Sequence, residues 1–340
     1  MNVKQLKEEC KKLNIKGYSK KNKSDLLKLL EINTKNTNNK SIIQKPFLKW
    51  VGGKTQIINS IIDKFPKIIN NYHELFLGGG SVLFALLSLQ KQNRITIKNK
   101  IYAYDINKTL INVYNDVQKN KDILFKYIEE YINTYDNIKG TIINRKSNTL
   151  EEGKTSKESY YYYLRNKFNN INKLNNENTV ELSALFIFIN KTCFRGVYRE
   201  GPNGFNVPYG HYKTTPTVIT KNDLDYISDL IKDVEFIHSS FIDSIKNVKK
   251  DDFMYLDPPY APENSKSFVG YVADGFNLET HKLLFSEVKK LNNIKFIMSN
   301  AKVDLVTENF KDYSIEDIKA RRAINSKNPG ASTTEVIIHN

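Results

Sequence analysis

From residue 46 onward, short apolar runs of strand length alternate with longer amphipathic stretches, and this alternation constrains the fold more than any other feature. Such alternation builds an α/β layer fold, in which helices cover a sheet. Strands are expected at 72–77, 101–105, 235–239, 252–256, 294–299, 313–318 and 335–339, and helices at 55–64, 80–91, 107–118, 121–133 and 278–292. Between about 135 and 230 the strand pattern stops. A Tyr- and Lys-rich stretch takes over, with the run YYYYLRNKF and an apolar helix at 181–191, and it reads as a second domain inserted into the first. A chain of 340 residues, 40% of them hydrophobic, can bury cores of this kind.

Charge separates a further module. Lys and Arg number 52 against 37 Asp and Glu, a net charge of +15, which is the balance of a protein that binds nucleic acid or another anionic surface. Residues 1–45 hold twelve Lys and four acids, a net of +8 that leaves +7 for all the rest. Within them Val3, Leu6, Leu13 and Ile15 precede a Lys16-Gly17 turn, and Ser24 stands where it can cap a second helix carrying Leu26, Leu27, Leu29 and Leu30. This pattern over residues 1–33 resembles the SAP motif, a small helical DNA-binding unit. Residues 34–45 are polar, Asn-rich and aperiodic, and read as a linker. Two cysteines, Cys10 and Cys193, make no disulfide framework, and five scattered histidines offer no zinc spacing. Neither a leader nor a membrane-spanning run is visible. The expectation is an intracellular protein without a metal.

Two segments suggest a ligand pocket. ELFLGGGS at 74–81 is a strand running into a glycine turn and an apolar helix, where backbone amides can meet an anionic group. A second strand, IYAYD at 101–105, ends in Asp105, which is placed to accept ribose hydroxyls in a Rossmann-like site. These two alone fit a nicotinamide or an adenosyl cofactor. The third segment is more specific. Asp257-Pro258-Pro259-Tyr260 follows the strand FMYL, and two prolines force the chain out of the sheet. The lone pair of an adenine amino group is delocalised into the ring, and acceptors at its hydrogens restore electron density on nitrogen. The Asp257 carboxylate and the Pro258 carbonyl are two such acceptors, and the Tyr260 ring offers a face for a flipped base.

With these motifs in place, the chain resembles the Dam family of DNA adenine methyltransferases from about Pro46 to its C-terminus. The motifs FLKWVGGK (47–54), ELFLGGGS (74–81), YDIN (104–107), YYYLRNKFN (161–169), NKTCF (190–194), FNVPYG (205–210), DPPYAP (257–262) and MSNA (298–301) follow the family's order. The resemblance implies a Rossmann-like S-adenosylmethionine-dependent methyltransferase fold, with a mostly parallel sheet and an antiparallel last strand. It implies a catalytic domain at 46–134 and 231–340, and a mainly helical target-recognition domain with a β-hairpin at 135–230. Trp50, Lys54, Phe76, Gly78, Asp105 and Asp257 are then cofactor-binding, with Lys54 facing the methionine carboxylate. Asp257, Pro258 and Tyr260 are catalytic. Double-stranded DNA is the expected partner, and a companion restriction endonuclease is possible. The alternatives are an RNA adenine methyltransferase, a DNA-binding protein with an inactive fold of this type, and a nicotinamide dehydrogenase, for which DPPY would have no use.

DNA-binding expectations fall on Arg195, Arg199 and Arg322. Phe194 to Arg199 leads into Gly201-Pro202-Asn203-Gly204, a strong turn signal, and then Phe205-Asn206-Val207, so a hairpin is expected. Strand alternation would put Arg195, Val197 and Arg199 on one face. The residue matching Arg195 is Asn in relatives that methylate GATC, so the expected site contains guanine beside the adenine but is not GATC. Arg322, with Arg321, precedes a polar loop and is a candidate phosphate contact. Tyr160 to Tyr163 read as a packed aromatic helix face.

Overall fold

The computed structural model describes residues 2–12, 17–19, 21–28, 30, 43–174, 179–262, 276–291, 293–321 and 332–340. The chain forms two compact units, Met1–Gln44 and Lys45–Asn340. In the first, helix α1 (Val3–Lys12) starts in a reciprocal cap: Asn2 Oδ1 accepts from Gln5 N, and Gln5 Oε1 accepts from Asn2 N. Gly17 has φ +78, the left-handed conformation that a tight turn requires. A second helical stretch covers residues 23–28, and its cap is Asn22, whose Oδ1 accepts from Asp25 N, rather than Ser24. Leu6, Cys10 and Leu26 form a small core with Tyr18 and Leu30 against it, whereas Val3 and Leu27 are exposed. Leu13, Ile15 and Leu29 lie outside the residues described with their side chains.

In the second unit, seven strands of the described residues form one sheet: β1 (Tyr72–Glu74), β2 (Ile101–Asp105), β3 (Val234–His238), β4 (Phe253–Leu256), β5 (Lys295–Ala301), β6 (Ser314–Arg321) and β7 (Ser332–His339). Each overlaps a strand expected from the sequence. Their spatial order is β6-β7-β5-β4-β1-β2-β3. The first five run parallel, and β7 is antiparallel to both β5 and β6. Helix α2 (Ser81–Lys91) links β1 to β2, and α8 (Leu278–Lys290) lies between β4 and β5 in the chain. Leu284, Phe285 and Val288 of α8 share one core with Met254, Leu256, Phe296, Met298, Val336 and Ile338 of the sheet. That two-sided burial explains why the strands read as nearly continuous apolar runs.

Between β2 and β3 come α3 (Lys108–Lys119), α4 (Lys121–Asn137), α5 (Lys157–Leu174), α6 (Val180–Thr192) and α7 (Lys221–Leu230). Helices α3, α6 and α7 each begin at a side-chain cap, from Asn107, Thr179 and Thr220 respectively. Helix α6 is buried from Leu182 to Asn190, so it is apolar on every side. Around its Phe188, Tyr131, Tyr135 and Tyr160 pack edge-on at 6.1, 5.6 and 6.2 Å. Tyr160, Tyr161 and Tyr162 are buried, as a packed helix face requires. Helix α4 runs through residue 134, where the sequence reading places its change of domain.

The central strand β1 is unusual in burying Tyr72, His73 and Glu74 together. Each of the three side chains has a polar partner. The Tyr72 hydroxyl donates to Glu74 Oε2 at 2.7 Å; His73 Nε2 lies 3.1 Å from Asp252 Oδ2 and its Nδ1 3.3 Å from the Tyr104 hydroxyl. Burial lowers the His73 pKa from its ordinary 6.5, with Asp252 opposing. Asp252 is held below the carboxylate range: its burial is outweighed by the Lys249 backbone amide, Asn71 and His73 together. A folded state that keeps His73 neutral binds fewer protons than the unfolded chain once the pH drops below 6.5. Stability contributed by this pair is therefore complete above pH 6.5 and declines as the pH falls from there toward the folded-state pKa. Thermal melting between pH 7.5 and 5 is expected to show this decline, and His73→Gln, which cannot titrate, to flatten it. An unchanged slope in that variant would remove His73 as its source.

Candidate active site

A parallel sheet offers ligands the crevice outside the carboxyl ends of its strands, at the point where the strand order reverses. Here that point lies between β1 and β4, because β2 and β3 continue to one side of β1 and β4 and β5 to the other. Beyond β1, Leu75 N donates to Tyr255 O and Leu77 N to Tyr104 O before the chain turns at Gly78 and Gly80, with φ of +49 and +71. That turn explains why β1 stops at Glu74, short of the expected residue 77. A Cβ at Gly78 would stand 2.9 Å from Trp50 Cδ1, and one at Gly79 2.8 Å from Trp50 Cβ, so the glycines make room for the indole.

Asp105, at the end of β2, locks this turn to the next strand. Its Oδ2 accepts from Gly78 N and its Oδ1 from Asn107 N, both at 2.9 Å. Burial raises its pKa, against the pull of these amides. Trp50 is half-buried; its other neighbours are Tyr198, stacked at 5.4 Å with a 22° tilt, and Phe186 at 6.3 Å. Phe76 is stacked on Phe241 at 5.9 Å and meets Phe276 edge-on at 6.0 Å.

At the end of β4, Asp257 Oδ2 forms an ion pair with Lys54 Nζ at 2.7 Å. Lys54 is only 4% exposed, and its ammonium also donates to Gly52 O and lies 4.8 Å from the centre of the Tyr260 ring. Asp257 Oδ1 is buried and has no hydrogen-bond partner among the described residues. Burial raises the Asp257 pKa, Lys54 counteracts it, and Glu335 adds to it. Glu74 beneath is pushed up to about 8 by burial, with the Tyr72 hydroxyl opposing and Asp257 adding. Among the described residues this buried corner sets the Lys54 ammonium against Asp257 and Glu74, a setting in which each charge acts strongly.

Three elements fix the course of the chain after Asp257. The buried His281 ring of α8 lies between two carbonyls, with Nε2 3.0 Å from Pro259 O and Nδ1 2.9 Å from Asn277 O. Asn300 Oδ1 of β5 accepts from Ala261 N at 3.1 Å. The Tyr260 hydroxyl donates to Glu335 Oε2 of β7 at 2.8 Å. None of His281, Asn300 and Glu335 carries a role in the sequence reading. Their signals are weak: an acid at the head of an apolar strand, an Asn within MSNA, a His inside an amphipathic helix.

Of the expected site residues, Lys54, Asp257, Pro258 and Tyr260 stand together at one end of the crevice, and Trp50, Gly78 and Asp105 at the other. The expected hairpin is present but short, pairing Glu200–Gly201 with Gly204–Phe205. The alternation expected for Arg195, Val197 and Arg199 does not hold. Residues Phe194–Gly196 form a 3-10 turn with Arg195 at φ +56, because Gly196 is pressed against Lys49: a Cβ there would lie 2.2 Å from Lys49 Cβ. Asn190 braces this junction, accepting from Lys49 N and donating to Lys49 O. Arg195 and Arg199 are exposed; Arg199 Nε donates to Asn206 Oδ1 at 2.7 Å. Arg322 lies outside the described residues.

Comparison with known proteins agrees with this site. The family described as D12 class N6 adenine-specific DNA methyltransferase matches residues 50–324. A type II methyltransferase of Methanocaldococcus jannaschii is 36% identical over 293 residues, covering 83% of this chain and 93% of its own. A DNA adenine methylase of Haemophilus influenzae is 30% identical over 290 residues, covering 84% and 89%. A type II methyltransferase of Lactococcus lactis subsp. cremoris is 29% identical over 303 residues, covering 87% and 95%. With the glycine turn, the acid that ends β2 and the DPPY corner gathered on one rim, the chain belongs to the D12 class of N6 adenine-specific DNA methyltransferases, enzymes that use S-adenosylmethionine.

Proposed function

We propose that the enzyme methylates a flipped adenine within a short, guanine-containing site of double-stranded DNA, and that the crevice residues divide the work as follows. The observation that carries this reading is the Asp257 carboxylate, with one oxygen on Lys54 and the other buried and, among the described residues, unpartnered. An orphaned buried acceptor is costly in a resting protein, and an amino N–H of the base would satisfy it. S-adenosylmethionine supplies an electrophilic methyl group on a positively charged sulfur. Lys54 faces its carboxylate, Asp105 its ribose, and Trp50, Phe76 and Gly78 form the wall. Asp257 and the Pro258 carbonyl accept from the adenine amino group, raising electron density on its nitrogen, and the Tyr260 ring supports the base. Orientation and preorganised acceptors carry the rate.

Removing Asp257 does two things in this structure. Asp257→Ala leaves the buried Lys54 ammonium unpaired, which destabilises by about 3–5 kcal/mol where the charge cannot relocate. Asp257→Asn keeps an oxygen acceptor beside Lys54 but not the negative charge, so it is expected to lose less stability than Asp257→Ala. Methyl transfer by Asp257→Asn is expected to fall about 100-fold or more at a temperature where the variant is folded, with a melting transition between those of the native enzyme and Asp257→Ala. Turnover at the native rate in this folded variant would rule out the assigned mechanism.

Residues 135–230, with the short hairpin and the Arg195 turn, form the target-recognition region in this proposal. An exposed guanidinium on a rigid left-handed turn suits a bidentate contact to guanine. Arg195→Ala is expected to relax selectivity at one base position by about 1–3 kcal/mol, read by sequencing modified bases across a randomised library. Equal loss at every position would instead mark a phosphate contact, and methylation of plain GATC by the native enzyme would refute the proposed site.

The basic N-terminal unit acts as a SAP-like DNA-binding arm joined by a linker. Deleting residues 1–45, which carry a net +8, is expected to weaken DNA binding and flatten its salt dependence while leaving the methylated sequence the same. A changed target sequence after truncation would show that the arm reads bases.

A further inference from the structure

The last strand runs against its neighbours, and this has a consequence at the crevice. Parallel strands deliver their carboxyl ends to the rim, so an antiparallel strand delivers its beginning there. Strand β7 pairs Glu335 with Ala301, at the end of β5, and so its first turn of side chains arrives beside the catalytic corner. Alternation along the strand then separates Glu335 from Val336 and Ile338, which enter the core beneath α8. The result is a carboxylate, 75 residues downstream of Tyr260, accepting the Tyr260 hydroxyl at 2.8 Å.

We propose that Glu335 is a positioning residue for methyl transfer, holding the Tyr260 ring in the plane on which the flipped adenine stacks. This rests on the role given to Tyr260 above. A tyrosine has two soft torsions, and the ring edge nearest the base is fixed only if its far end is held. Two contacts do this. Glu335 anchors the hydroxyl, and the Lys54 ammonium lies over the ring at 4.8 Å while it grips Asp257. The backbone on either side is pinned separately, at Pro259 by His281 and at Ala261 by Asn300. Loss of the Glu335 contact therefore frees the ring and leaves the course of the chain and the Asp257–Lys54 pair in place. A hydrogen bond from a hydroxyl to a carboxylate is among the stronger ones available to a side chain, and Glu335 is half-buried, so the anchor is firm. Burial and the neighbouring acids Asp257 and Glu335 raise the Tyr260 pKa, which keeps the hydroxyl a donor across the working range.

The test is a double-mutant cycle with Glu335→Ala and Tyr260→Phe, measured by single-turnover methylation and by the fluorescence of 2-aminopurine placed at the target base. Each single variant is expected to lose about 10-fold in the methyl-transfer rate, with the Michaelis constant for DNA changed little. The double variant is expected to be no slower than either one, because the hydroxyl and its acceptor are one contact. Glu335→Gln, which retains an acceptor oxygen, is expected to recover most of the rate and guards against misfolding as the cause. Additive losses in the double variant, or a Glu335→Gln enzyme as slow as Glu335→Ala, would overturn the proposal. Tyr260→Ala separates the two levels of inference. If it lowers the rate and changes the 2-aminopurine signal while the Glu335 variants behave as native, only the anchoring role falls. If Tyr260→Ala is itself as active as the native enzyme, the stacking role assigned to the ring falls, and the anchoring role with it.

Discussion

A strand buried on both faces can present a working side chain only where it ends, and this constraint organises the whole enzyme. The parallel strands of the central sheet are covered by helices, so a polar group inside them needs a partner within the core. Strand β1 meets that requirement with the Tyr72–Glu74 and His73–Asp252 pairs. Elsewhere the polar chemistry moves to the rim. Asp105 ends β2, Asp257 follows β4, and the glycine turn follows β1. Because β1 and β4 are neighbours whose connections depart in opposite directions, these ends open onto one crevice.

The corner at Asp257 is buried enough that its charges must be arranged with care. Lys54 is nearly inaccessible and faces Asp257, so neither partner can be removed without exposing the other to an apolar setting. Only one oxygen of Asp257 is used this way. Among the described residues its other oxygen and Asn300 Nδ2, at the same corner, have no hydrogen-bond partner, and such buried groups call for an explanation that a bound ligand would supply. Asp105 shows the opposite arrangement, with both oxygens already bonded to backbone amides, so it shapes the turn.

The sequence made the sheet legible because hydrophobic periodicity is a local signal, and a two-sided core leaves it undiluted. FMYL, IYAYD and KFIMSNA are strands for the same reason that they are apolar. The DPPY corner was legible for a different reason: two prolines and an acid after a strand have little other use. What escaped notice depended on contacts between distant residues. Glu335 looks like a strand's solvent-side acid until the antiparallel pairing with β5 brings it to Tyr260. His281 looks like part of a helix surface until Pro259 is found opposite it. Arg195 was misplaced by a local rule: alternation assumes an extended chain, and Gly196, pinned by Lys49, bends it into a left-handed turn first.

That same bend ties the Arg195 segment to the glycine turn. Lys49 and Trp50 are adjacent in the chain; Lys49 holds Gly196 in its turn, and Trp50 lies on Gly78 and Gly79. Two residues beyond Gly196, Tyr198 stacks on Trp50, and its ring also packs against Phe205 at the end of the hairpin, at 5.6 Å. The segment that carries Arg195 and Arg199 therefore shares its supports with the glycine turn. In an interior packed as densely as this one, displacing Tyr198 uncovers one face of the indole that fills the space above Gly78. The family's order of motifs, with FLKWVGGK far from NKTCF in sequence, conceals that they form one junction braced by Asn190. The segment that carries Arg195 and Arg199 and the turn at Gly78 are then joined through a single packed contact rather than built as separate parts.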